Sequence, residues 1–167
     1  MDRKSLYLGI LLTVLALGQV VATWQFYDQQ ANPTVINIGW AVIFLSAIFG
    51  WLPIFTLRYR GNISGKSYIH TTTLVKSGVY CIVRHPQYLA GVLVSIGLCL
   101  IRTHWLVILL GVGSWLIYYL NTYLEDQHNI EKFGEAYRGY QEQVPRLNFI
   151  LGLYRVLIKE KRLSEME

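Results

Sequence analysis

Residues 105–124 read WLVILLGVGSWLIYYLNTYL, a run without a single charge, and the next two residues are Glu125 and Asp126. A helix rises about 1.5 Å per residue and a bilayer core is about 30 Å thick, so this run has the length of one membrane crossing. The two carboxylates follow where such a helix leaves the hydrocarbon. Two further runs have the same character, Ser5–Phe26 and Val35–Leu57. A fourth, Pro86–Ile101, has 16 residues. It would cover about 24 Å and therefore starts inside the interface. Trp24, Trp40, Trp51 and Trp105 lie mostly near run ends, as suits the headgroup boundary. The expected fold class is an all-α integral membrane protein with about four transmembrane helices, the third and fourth forming a hairpin, and a C-terminal cytoplasmic amphipathic segment.

Composition agrees, with 53% hydrophobic residues and a positive mean hydropathy. No Asp or Glu occurs between Asp28 and Glu125, the region where an unpaired carboxylate would sit in hydrocarbon. Fourteen of the fifteen Lys and Arg residues fall before helix one, between helices two and three, or after helix four, and only Arg102 lies on the other side. This bias predicts an even number of spans with both termini cytoplasmic. The net charge of +5 thus reads as topology. Basic residues dispersed around apolar spans form no stripe for nucleic acid, so no nucleic-acid partner is expected. Met1–Lys4 is too short, and the first run too long, for a signal peptide, so that run is expected to stay as a mature helix.

Cys81 and Cys99 have neither metal-ligand spacing nor a disulfide framework and read as small apolar fillers. No metal is expected. Asn62-Ile63-Ser64 matches a glycosylation acceptor but falls on the cytoplasmic side and is discounted. Gly91, Ser95 and Cys99 recur every four residues, a stripe of small side chains that would let helix four approach, with Gly111 and Gly113 to receive it across the turn Arg102-Thr103-His104. One membrane domain over 1–167 is the economical reading, with two spanning helices within 5–57.

Chemistry-bearing residues flank the hairpin. Before it, Arg84-His85-Pro86-Gln87-Tyr88-Leu89 places Pro86 at the first helical position and His85 near the N-cap. A helix N-terminus attracts a carboxylate such as that of an amino-acid-like cofactor, with Tyr88 close by. The same residues also suit plain membrane anchoring, with Arg84 reaching lipid phosphate, His85 capping and Tyr88 in the aromatic belt. After the hairpin, Glu125 and Asp126 either face a cavity that holds a cation or are solvated at the interface. Ile130, Phe133, Tyr137 and Tyr140 then share helical spacing, giving a face that packs or lies on the membrane. Val144-Pro145-Arg146 breaks the pattern. Leu147–Ile158 is about 18 Å long as a helix and suits an interfacial or re-entrant segment, followed by a charged, frayed tail from Lys159.

RHPQYLAG at 84–91, Glu125-Asp126, and FGEAYRGYQEQVPR at 133–146 occur in order around a helical hairpin. Together they resemble the isoprenylcysteine carboxyl methyltransferase family and its phospholipid methyltransferase relatives, over roughly 73–150. The resemblance implies a methyltransferase-like core at 73–150 using S-adenosyl-L-methionine, with an interfacial segment and tail at 151–167. It implies cofactor contacts from His85, Pro86, Tyr88, Leu89, Glu125, Asp126 and Tyr137, and catalytic roles for Glu125 and Arg146. Asp126 stands where the family typically has Glu, and Gln143 where several eukaryotic members are basic, with Arg146 as a substitute. The implied acceptor is lipidic or a small apolar molecule, reached from membrane lipid; a bacterial or archaeal plasma membrane is expected over endoplasmic reticulum.

Methyl transfer from a sulfonium needs alignment and exclusion of water. A carboxylate nucleophile needs no base, whereas an amine must lose a proton, for which Glu125, Asp126 or His128 is available. Two alternatives remain open. The late Tyr and Val-Pro-Arg pattern also resembles membrane sterol reductases, which use a nicotinamide cofactor, although Tyr118–Asp126 lacks their Arg-rich signature and the short chain argues against them. A non-catalytic membrane scaffold would leave Glu125 and His85 merely lining a polar crevice.

Overall fold

The structure, a computed structural model, describes residues 3–26, 32–61 and 72–164. Asn62-Ile63-Ser64 and Lys66 lie outside the described residues. Among the described residues six α-helices are formed: α1 (Arg3–Gln25), α2 (Pro33–Arg60), α3 (Pro86–Ile101), α4 (Trp105–Phe133), α5 (Glu135–Gln143) and α6 (Phe149–Ser164). A 3-10 turn at Gly78–Cys81 precedes α3, and no strand occurs among the described residues. Among the described residues three helices are long and apolar enough to cross a membrane: Leu6–Gln25, Pro33–Arg60 and Trp105–Phe133. The third run is an apolar helix with the expected bounds, and shorter.

The chain forms two compact units. The first comprises Met1–Ile48 and Tyr88–Leu124. Many of its large apolar side chains are exposed, among them Leu17, Trp24, Phe44, Leu109 and Trp115, as lipid-facing residues are. Lipid tails are as apolar as these side chains, so cohesion must come from close packing and hydrogen bonds. Both are present. A Cβ on Gly111 would lie 2.8 Å from Cys99 Sγ and 3.0 Å from Ser95 Oγ, which is the close approach expected of the small stripe. Gly113 instead faces Leu15 of α1, and the ring of Tyr118 occupies the space beside Gly91.

The sequence reading gave no role to Gln19. Its Nε2 donates to the Ser95 carbonyl at 3.0 Å and contacts Cys99 Sγ at 3.4 Å, while its Oε1 accepts from Ser95 Oγ at 2.9 Å. Cys99 is therefore a member of a partly buried polar contact and not simply a filler. Both cysteines are free thiols. At the turn between α3 and α4, His104 Nδ1 accepts from the Leu106 amide at 3.3 Å, and its ring stacks on Phe26 at 3.9 Å.

The second unit comprises Phe49–Gln87 and Glu125–Glu167. The face expected from Ile130 to Tyr140 does pack: Tyr137, Tyr140 and Val144 are buried, with Leu74, Ile130 and Phe133 against them. It is built from two helices, however. Gly134 has φ +57°, a backbone that side-chain-bearing residues rarely adopt, so the chain turns there and α5 starts afresh. The tail also departs from expectation, because α6 continues through Lys159 to Ser164. Lys161 and Arg162 in its last turn favour the helix by lying at the negative end of the dipole.

Candidate functional site

Asp126 is the hub of the second unit. Pro86 opens α3, its ring fixing φ at a helical value where no amide hydrogen is needed. The residues just before it, Arg84 and His85, lie outside any helix. Arg84 and His85 use this to pair with the segment after α5: the Arg84 amide donates to the Pro145 carbonyl at 3.0 Å and the His85 amide to that of Arg146 at 3.3 Å. Val144 is extended for its own reason, since α5 stops at Gln143 and Val144 precedes proline. Two motifs some sixty residues apart are thereby laid side by side.

Their side chains converge on the Asp126 carboxylate, which is 2% exposed. Oδ1 receives the Tyr137 hydroxyl at 2.6 Å, His85 Nε2 at 2.7 Å and Arg84 Nη1 at 3.1 Å. Oδ2 receives Arg84 Nη1 at 3.1 Å, Arg146 Nε at 3.0 Å and Arg146 Nη2 at 2.9 Å. A carboxylate offers about four lone-pair sites, so its accepting capacity is taken up by the chain's own donors. An ionised Asp126 only accepts, which makes His85 Nε2 a donor. The geometry thus places a proton on Nε2 and fixes the ring's orientation.

The neighbours differ in access. Glu125 is 44% exposed at its side chain, and its Oε2 lies 3.8 Å from His85 Nδ1, beyond hydrogen-bond range. The Arg146 side chain is 25% exposed while two of its nitrogens hold Asp126. Arg84 is 8% exposed, and its Nε is buried without a hydrogen-bond partner. Burial pushes the Tyr137 phenol above the usual tyrosine range, and its hydrogen bond to Asp126 pushes it further. Tyr140 is raised by burial first and then by Tyr137 beside it. The Tyr140 hydroxyl donates to the Tyr80 carbonyl at 2.6 Å, tying α5 to the 3-10 turn before Arg84.

Of the residues singled out by sequence, the second unit brings together His85, Glu125, Asp126, Tyr137 and Arg146, with Pro86 at the helix start. Tyr88 and Leu89 belong to the first unit, where Tyr88 meets Tyr118 edge to face at 6.2 Å and Leu89 is buried. His128 is exposed. Sequence reasoning read Arg84 either as part of the cofactor segment Arg84 to Tyr88 or as a lipid anchor, and missed the brace from Tyr140 to Tyr80. The signal for Tyr140 was its three-residue spacing from Tyr137, which places both on one helical face.

A buried carboxylate clamped by two arginines, a histidine and a tyrosine beside a half-exposed glutamate, on a chain with long apolar helices, marks a membrane protein with a polar site. Comparison with known proteins gives it a family. A sequence model of the phospholipid methyltransferase family matches residues 34–136. The chain therefore belongs to the phospholipid methyltransferase family, as an integral membrane protein.

Among its relatives is the protein-S-isoprenylcysteine O-methyltransferase of Tribolium castaneum, 33% identical over 112 residues that make up 65% of this chain and 39% of that protein. A probable 7-dehydrocholesterol reductase of Acanthamoeba polyphaga mimivirus is 26% identical over 165 residues, covering 84% of this chain and 37% of the viral protein. The solved structure of a eukaryotic intramembrane Ras methyltransferase, isoprenylcysteine carboxyl methyltransferase, superposes with a TM-score of 0.60 at 26% identity. That match covers 88% of this chain and 53% of the other. The chain thus spans between 37% and 53% of the length of these relatives.

Proposed function

We propose that the chain is an S-adenosylmethionine-dependent methyltransferase that modifies a lipidic or small apolar acceptor. The observation that carries this reading is the Asp126 hub, which gathers the three segments of the motif resemblance into one cluster. The residues fit a zwitterionic cofactor. The buried Nε of Arg84 is a donor without an acceptor, which an anionic group would supply, and Glu125 is the carboxylate left exposed to meet a cation.

Bound S-adenosylmethionine would supply an electrophilic methyl group on a positively charged sulfur. His85, Pro86, Glu125 and Tyr137 form the proposed cofactor-binding set in the second unit, with Asp126 acting through the donors it orients. Tyr88 and Leu89 join it on the strength of the motif resemblance. Glu125 balances positive charge near the reacting centre, where low dielectric makes such a charge count. Arg146 orients an acceptor carboxylate. With an amine acceptor, Glu125 or His128 takes the proton. The acceptor enters from membrane lipid, and the site and both termini are cytoplasmic, in a bacterial or archaeal plasma membrane.

The test is transfer of isotopically labelled methyl from S-adenosylmethionine by protein in lipid nanodiscs, to a prenylated cysteine analogue and separately to an aminophospholipid. Base-labile label indicates a methyl ester and base-stable label an N-methyl product. A second reading, a nicotinamide-dependent sterol reductase, rests on the viral relative alone and is the less favoured. Reduction of a sterol double bond by NADPH, without methyl transfer, would establish that reading and defeat the first.

A further inference from the structure

Helix α6 has a face that the rest of its unit leaves uncovered. Its packed edge is defined by three contacts. Gly152 is buried so tightly that a Cβ there would run into the Ile82 carbonyl, and the Phe149 ring meets Phe49 at 5.4 Å. Arg155 Nη1 donates to the carbonyls of Gln143 at 2.9 Å and Glu142 at 3.3 Å. Helical spacing sends Ile150, Leu153, Tyr154 and Leu157 elsewhere, and all four are exposed.

Arg155, Lys159 and Arg162, at positions i, i+4 and i+7, run as a basic edge on the side of the helix away from that apolar face. Over Phe149–Ser164 four basic residues stand against one acid, Glu160. A water-facing helix would not expose four large apolar side chains in a band, and an apolar protein partner would gain nothing from the basic edge. An apolar face with cations on the opposite, polar side matches a helix lying at the boundary of a membrane carrying anionic headgroups, where acyl chains take the one and phosphates the other.

We infer that α6 lies on an anionic lipid surface, its apolar face among the acyl chains and its basic edge on lipid phosphate. This proposal goes beyond the methyltransferase reading and does not rest on it. It has a consequence for the site. Gly152 presses on Ile82, two residues before Arg84, and Arg155 holds Gln143, three residues before Arg146. Seating α6 on lipid therefore stiffens the pairing of Arg84 with Pro145 and of His85 with Arg146.

The experiment places a spin label at position 157 (Leu157→Cys, with Cys81→Ser and Cys99→Ala) in the full chain. The protein is reconstituted in nanodiscs of phosphatidylcholine alone or mixed with phosphatidylglycerol. Relaxation by oxygen reports lipid exposure and relaxation by a nickel chelate reports water exposure. Each basic side chain near an anionic surface contributes roughly a fivefold factor in partitioning. The label is expected to sit in the interface with phosphatidylglycerol, and Lys159→Gln and Arg162→Gln combined should lower that occupancy by roughly tenfold or more.

Equal depth in both lipid mixtures would overturn the proposal, as would a label shielded from both relaxants, which would mean a protein partner or a second copy. Hydrogen exchange at the Arg84 and His85 amides should slow in the anionic discs, and an unchanged rate would overturn the coupling. Neither readout uses cofactor or turnover, so failure here leaves the methyltransferase reading standing, and failure of that reading leaves this one.

Discussion

The two units of this chain are held together by opposite means. In the first, helices approach through small residues, and one amide, Gln19, makes three contacts with Ser95 and Cys99. In the second, a single buried carboxylate gathers two arginines, a histidine and a tyrosine. A membrane core spreads its cohesion over many weak contacts, so losing one is tolerated. A charge hub concentrates it, because removing its centre strands several buried partners at once.

Asp126→Ala should therefore be the most damaging substitution, costing about 3–5 kcal/mol or abolishing folding of the second unit. Hydrogen exchange would register this as lost protection at Arg84, His85 and along α5. Asp126→Asn keeps the shape and some accepting capacity, and should be milder. Tyr137→Phe removes one hydrogen bond to a charged group and should cost about 1.5–3 kcal/mol, measured by thermal unfolding in one detergent.

The same tyrosine links stability to pH. Its folded pKa is raised above the unfolded value of about 10. The stability it contributes is fully present below that pH and lost as pH rises through the higher folded value. Ultraviolet titration should show Tyr137 and Tyr140 ionising later than exposed tyrosines, and early ionisation of all twelve tyrosines would contradict their burial. In the first unit Gln19→Leu should cost about 1 kcal/mol, seen as a small fall in unfolding midpoint. A loss as large as that of Asp126→Ala would erase the contrast between the units.

Much of the fold was legible because bilayer thickness dictates helix length and excludes acids. That alone located α1, α2 and α4, and Pro86 and the Arg102-Thr103-His104 turn located α3. Where α4 ends was not legible. Glu125–Phe133 reads as a polar stretch, yet one face remains apolar and the helix runs on until Gly134 takes a positive φ. Gln19 was invisible because a lone amide among apolar residues has no periodic signature, and its partners lie more than seventy residues away.

At the candidate site, the motifs named His85, Asp126, Tyr137 and Arg146 but could not say that Asp126 would be the buried partner and Glu125 the accessible one. Adjacent residues on a helix point about 100° apart, and which of them faces inward depends on what the rest of the chain brings to meet it.

That difference between adjacent carboxylates carries the central claim, that the cluster around Asp126 is built to hold S-adenosylmethionine. Calorimetric binding of S-adenosylhomocysteine to folded protein, wild type against Glu125→Gln, tests it most directly. The wild type should bind saturably, and Glu125→Gln should bind roughly tenfold more weakly, about 1.4 kcal/mol, with its unfolding midpoint unchanged. Absence of binding by folded wild-type protein, or equal binding by both, would contradict the account.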